Sequence, residues 1–164
     1  MSMEQPDVRY CMTEDGVRLA YYVMGEGPPL VRAAGFPSHL TAIWGRPDAP
    51  GSIRQLAREH QVVTYDPRGM GLSQRVHDFS LDTRVADMRT VVGHLQLKRF
   101  AIMGITHATV AAAAYAARYP ADVTHLALVT PYADGPQLYA ASSAFSAYAA
   151  LESVTVEQWD FVAM

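Results

Sequence analysis

Residues 99–110 read Arg99-Phe100-Ala101-Ile102-Met103-Gly104-Ile105-Thr106-His107-Ala108-Thr109-Val110. The apolar run over 99–105 has the length and composition of a buried strand. From Ala108 the chain turns alanine-rich, and this helical pattern continues to residue 119, where Pro120 halts it. A strand that feeds a helix through one tight turn is the recurring joint of an α/β sheet. It sets the side chain of Thr106 at the carboxyl edge of that sheet. It also aims the amide of His107 and the start of the helix at whatever binds there.

Outward from this joint the same alternation holds. Residues 123–130 read as a further strand. Gln61-Val62-Val63-Thr64-Tyr65 reads as another, ending at Asp66-Pro67. Between them Ser80 is a natural N-cap, with Asp82 in the first turn, for a helix whose Leu81, Val85, Met88, Val92 and Leu95 share a face. Upstream, 9–13 and 17–24 flank Glu14-Asp15-Gly16, an Asp-Gly turn that suits an antiparallel hairpin. Gly25-Glu26-Gly27-Pro28-Pro29 then breaks the chain before a third strand, 30–34, and a short helix is expected over 52–59. The architecture is therefore α/β: a mostly parallel sheet with an N-terminal antiparallel hairpin and helices on both faces. Beyond Pro131 the pattern becomes an amphipathic helix over 137–151, with a second start near Thr155, as a helical cap would begin. The division expected is 1–134 for the core and 135–164 for the start of the cap. The final strand has nothing after it to cover it, so the chain reads as the N-terminal portion of a longer protein.

The chain has 164 residues, half of them hydrophobic and 18% charged, with 13 basic against 16 acidic side chains. At that length a core can form without disulfides or a structural metal. The basic residues are scattered and the net charge is −3, which argues against a nucleic-acid partner. The longest apolar stretch, 108–117, is too short to span a bilayer, so no membrane partner is expected. One cysteine, Cys11, and an N-terminus lacking an export pattern point to the cytoplasm. The six histidines, at 39, 60, 77, 94, 107 and 125, show no zinc spacing, and no metal or cofactor is expected. Gly69-Met70-Gly71 lacks the third glycine of a dinucleotide loop, since Gln74 stands there.

Chemistry gathers at three strand ends. Gly104-Ile105-Thr106-His107-Ala108 has the layout of a Gly-x-Ser-x-Gly nucleophile elbow, with threonine for serine and alanine for the last glycine. Ala34-Gly35-Phe36-Pro37 breaks the third strand where a loop amide, that of Phe36, can donate to the same point. Asp66-Pro67-Arg68-Gly69-Met70-Gly71-Leu72-Ser73 is a glycine-rich turn between them. Together these segments resemble the α/β-hydrolase superfamily, from about residue 8 to residue 134. More narrowly, Pro28-Pro29-Leu30-Val31-Arg32-Ala33-Ala34 and Ser38-His39-Leu40 resemble hydrolase-fold domains attached to bacterial nucleotide cyclases and helix-turn-helix regulators.

The resemblance implies a hydrolase of ester-type bonds acting on a small, ester-like or apolar substrate. Thr106 would stand at the nucleophile position, the amides of His107 and Phe36 would form the oxyanion hole, and residues 66–73 would be mainly structural. The general base and its acidic partner would follow later strands and cannot be placed in this chain. Gly35, His39 and Tyr132 are candidates for contact with the substrate. An ion pair between Asp66 and Arg68 is expected to stiffen their loop. Tyr132, Tyr139, Phe145 and Tyr148 would form a cap's apolar lid or its buried stripe.

An elbow nucleophile takes a positive φ, which costs a β-branched residue on the order of 1–3 kcal/mol. Two readings therefore stand. In one, Thr106 performs acyl transfer with a base supplied nearby. In the other the domain is catalytically silent and senses a ligand or a partner. A homo-oligomer joined along the open sheet edge also fits.

Overall fold

The computed structural model describes residues 6–36, 38–45 and 51–133. The chain forms two compact units, Met1–Pro131 and Tyr132–Met164. The first contains a six-stranded sheet: β1 (Arg9–Met12), β2 (Arg18–Met24), β3 (Pro29–Arg32), β4 (Gln61–Tyr65), β5 (Phe100–Ile105) and β6 (Val123–Val129). Its order is β1-β2-β4-β3-β5-β6. β2 pairs antiparallel with both β1 and β4, and all the other pairings are parallel. The hairpin expected around Gly16 is present, with Gly16 at φ 81° and the Thr13 hydroxyl accepting from the Val17 amide at 2.8 Å.

Helices cover both faces. α1 (Gly51–Leu56) packs Ile53 onto one face with Ala20, Tyr22, Leu30 and Val62. α2 (Leu81–His94) and α3 (Ala108–Arg118) cover the other, where Val85, Met88, Val92, Ala112 and Tyr115 meet Leu19, Val31, Val63 and Ile102. Each large apolar side chain buried this way contributes about 1.5–3 kcal/mol. Ser80 caps α2, accepting from the Thr83 amide at 3.3 Å. Leu81 departs from the expected buried stripe and is 38% exposed, whereas Asp87 is fully buried on that helix. A polar residue holds that place because Arg68 meets it there.

The third strand is shorter than the expected 30–34. The Ala33 amide still donates to the Met103 carbonyl at 2.9 Å, but the Ala34 carbonyl is taken by Arg84 Nη2 at 3.1 Å, and the strand is over. Cys11 is buried, and burial pushes its thiol up to about 11. No helix among the described residues is long and apolar enough to cross a membrane. Among the described residues β6 is an edge strand, with Leu126 and Val129 exposed. The cap helices expected from residue 137 onward, with Tyr139, Phe145 and Tyr148, lie outside the described residues.

Candidate active site

The elbow is built from close packing. A Cβ on Gly104 would come within 2.9 Å of both the Ala112 Cβ and the Thr109 Cα, so only glycine lets α3 sit this close to β5. The chain then turns at Thr106, whose φ is 49°, the left-handed region that a β-branched residue enters only at a cost. Backbone contacts on both sides hold it there. The Thr106 amide donates to the Val129 carbonyl of β6 at 3.0 Å, and the Thr106 carbonyl accepts from the Thr109 amide at 3.0 Å and from the Thr109 hydroxyl. The side chain of Thr106 is exposed, and its hydroxyl makes no hydrogen bond among the described residues. His107 occupies the N-cap position of α3, one residue past the bend, with no capping hydrogen bond from its side chain, and Ala108 is buried.

A cavity of about 140 Å³ opens at this carboxyl edge. Its lining joins Thr106, Ile105 and Ala108 of the elbow to Gly35, Phe36 and Ser38 of the loop after β3. Arg32 and Thr64, near the ends of β3 and β4, complete it from below. Of the candidates read from the sequence, Thr106, Gly35 and Phe36 therefore come together around one space. His39 does not line it. Its Nδ1 accepts from the Ala42 amide at 3.3 Å and lies 3.2 Å from the Thr41 hydroxyl, so the ring caps its own turn. Tyr132 belongs to the second unit.

Residues 66–73 organise the site through two separate networks, and the expected Asp66–Arg68 pair does not form. Asp66 is fully buried and points back to the loop after β3. It accepts from the Ser38 hydroxyl at 2.6 Å, the Leu40 amide at 3.2 Å and the Leu72 amide at 2.9 Å. Burial pushes its carboxyl above the usual range, and these three donors oppose that shift without cancelling it. Gly71, at φ 48°, leaves room for the carboxylate, which any Cβ there would strike. Asp66 thus fastens the Phe36-bearing loop to the β4 loop.

Arg68 turns the opposite way. Its Nε donates to Asp87 Oδ1 at 2.9 Å, its backbone amide to Asp87 Oδ2 at 3.0 Å, and its Nη1 to Asp15 Oδ2 at 2.7 Å. Two carboxylates satisfy the guanidinium, which leaves none of its charge for Asp66. Asp87, on α2, was not legible as the partner of Arg68, 19 residues away. Arg32 did carry a signal, as a charge within the apolar run 30–34.

Among the described residues no group of three or more His, Cys, Asp or Glu side chains could hold a metal ion. An α/β sheet with a strained strand-to-helix turn at its carboxyl edge, facing a loop that follows a neighbouring strand, is the frame on which hydrolases of one large class are built. A model of the alpha/beta hydrolase fold family matches residues 28–158, and the chain belongs to that family.

Similar solved structures include a hydrolase from Pseudomonas aeruginosa at TM-score 0.67 and 21% identity, covering 82% of this chain and 52% of that one. An epoxide hydrolase from Vigna radiata matches at TM-score 0.67 and 20% identity, over 80% of this chain and 42% of its own. A bacterial membrane phospholipase A matches at TM-score 0.65 and 23% identity, over 76% and 39% respectively. At these identities the likeness is one of fold. The chain spans about half or less of the length of these structures.

Proposed function

We propose that the chain carries the nucleophile-bearing portion of a hydrolase site for a small ester-like substrate, with Thr106 as the attacking residue. The observation that carries this reading is the bend itself. A threonine is held at φ 49°, a conformation costly for a β-branched residue, with its hydroxyl exposed beside a cavity. In the reaction the Thr106 oxygen attacks the ester carbonyl carbon and its proton passes to a general base. The amides of Phe36 and His107 receive the developing oxyanion, and the alcohol leaves. Water then releases the acid. By the family pattern the base and its acidic partner follow later strands, outside the described residues. Similarity to an epoxide hydrolase and a phospholipase A supports hydrolysis in general, and the hydroxyl at 106 favours an acyl rather than another bond. A cytoplasmic location, a small-molecule partner and the absence of a cofactor belong to the same proposal.

The test is hydrolysis of p-nitrophenyl acetate. Steady turnover that Thr106→Ala abolishes supports the reading, and equal rates for the two proteins overturn it.

The β-branch at position 106 favours a second reading. A silent module of the kind attached to nucleotide cyclases and transcription regulators would keep the pocket for sensing while its elbow residue drifts from serine. In that case a small apolar ligand binds saturably, and Thr106→Ala leaves the binding intact.

A further inference from the structure

The floor of the cavity holds chemistry that the elbow does not use. Tyr22, Thr64, Arg32 and Met103 are cross-strand partners in one row over β2, β4, β3 and β5, so their side chains leave the same face of the sheet. Two of them, Arg32 and Thr64, line the cavity beside Thr106. Arg32 is half-buried, and among the described residues it makes no hydrogen bond or ion pair. Thr64 is 5% exposed, and its buried Oγ1 has no hydrogen-bond partner of good geometry, although the Tyr22 phenol lies close by. Tyr22 Oη and Trp44 Nε1 are also buried without a partner of good geometry. Burial pushes the Tyr22 phenol up, while Thr64, Arg32 and Trp44 oppose that shift, which places all four groups in one neighbourhood.

Buried polar atoms normally find partners, and an unpaired guanidinium in a partly dehydrated pocket is costly unless an anion reaches it. Arg68, which is buried, is held by two carboxylates. The space also sets the scale. A volume near 140 Å³ has room for a carboxylate and a few carbons, on the order of four waters at about 30 Å³ each.

We propose that this pocket takes a carboxylate-bearing ligand, with the anionic group on the Arg32 guanidinium and the Thr64 hydroxyl and the remainder extending toward Thr106. One guanidinium can hold one carboxylate through two parallel N–H···O bonds, which neutralises both charges. This deepens the hydrolase reading and rests on it for what happens at the far end of the ligand. The substrate class it implies is a monoester of a short dicarboxylic acid, its free acid on Arg32 and its ester carbonyl at Thr106.

The test separates binding from chemistry by using n-butyrate and its neutral isostere butyramide in an NMR titration of the chain. Butyrate is expected to bind saturably and to shift resonances of Arg32, Thr64 and their neighbours, with butyramide about tenfold weaker or worse. Arg32→Met should lose about tenfold or more of the butyrate affinity, and Arg32→Lys should recover part of it. Thermal unfolding of each variant reports whether it is folded, and the comparison of the two ligands needs no variant.

Equal affinity for acid and amide, butyrate affinity unchanged in a folded Arg32→Met, or no saturable butyrate binding overturns the proposal. Tighter binding of inorganic phosphate than of butyrate also overturns the carboxylate assignment. A chain that binds butyrate through Arg32 but does not hydrolyse p-nitrophenyl acetate keeps this inference and loses the catalytic one. Hydrolysis that needs Thr106, without butyrate binding, does the reverse.

Discussion

Replacing Asp87 with alanine tests whether Arg68 and its two carboxylates hold the core as the geometry implies. Asp87 is fully buried and takes three donors from Arg68: Nε at 2.9 Å, Nη2 at 2.8 Å and the backbone amide at 3.0 Å. Arg68 itself is 4% exposed, so its charge cannot turn to water when Asp87 is gone. Breaking a buried pair by removing one partner costs about 3–5 kcal/mol. Against a total stability of about 5–15 kcal/mol for a domain, that is a large share, and at this size it lowers Tm by about 6–20 °C.

Asp15 provides the internal control. It contacts the same guanidinium at 2.7 Å but is 57% exposed, so Asp15→Ala should cost no more than about 1 kcal/mol. Removing both buried partners in Arg68→Met/Asp87→Leu leaves no orphan charge and should be less destabilising than Asp87→Ala alone. Urea unfolding followed by circular dichroism reads all three. Equal losses for Asp87→Ala and Asp15→Ala, or a double variant at least as destabilised as Asp87→Ala, refute the argument.

Three further outcomes follow from particular groups. Thr106→Gly removes a β-branched side chain from φ 49° and should stabilise the fold by about 1 kcal/mol, after the greater freedom of glycine in the unfolded chain is set against the relieved strain; the urea midpoint measures it. Hydrogen bonds from Arg68 hold the Asp15 carboxyl at about 2, below its ordinary 3.8. The stability it contributes is therefore present above pH 3.8 and is lost as pH falls toward 2, so the gap between wild type and Asp15→Asn in a pH series of melts should close across that window. Cys11, with its thiol pushed up to about 11 by burial, should resist iodoacetamide at pH 8 until urea unfolds the chain, which mass spectrometry shows directly.

Local chemistry was readable wherever neighbours in sequence decide the outcome. The Asp15-Gly16 turn, the Ser80 cap and the step from Gly104 through Thr106 into an alanine-rich helix each depend on a few adjacent residues, and the structure has all three. Pairings across long stretches of chain were not readable. Arg68 lies 19 residues from Asp87 and 53 from Asp15, and no periodicity singles out either partner. Asp66 looked like the natural mate of Arg68 at a spacing of two. Only Pro67 separates the two, yet Asp66 turns to the loop after β3 while Arg68 turns to α2 and the first hairpin, so each finds its partners far along the chain. The site shows the same division. Thr106, Gly35 and Phe36 were legible as strand ends, whereas Thr64 entered only because the sheet order sets β4 directly beside β3.

The guanidinium of Arg68 joins the tip of the first hairpin to the middle of α2. An edge hairpin ordinarily frays by itself, well ahead of the helices behind it. Here its turn and the helix share one ionic knot, so their amides should exchange with deuterium on a common schedule, and loosening one end of the sheet should be felt on the far side of the core.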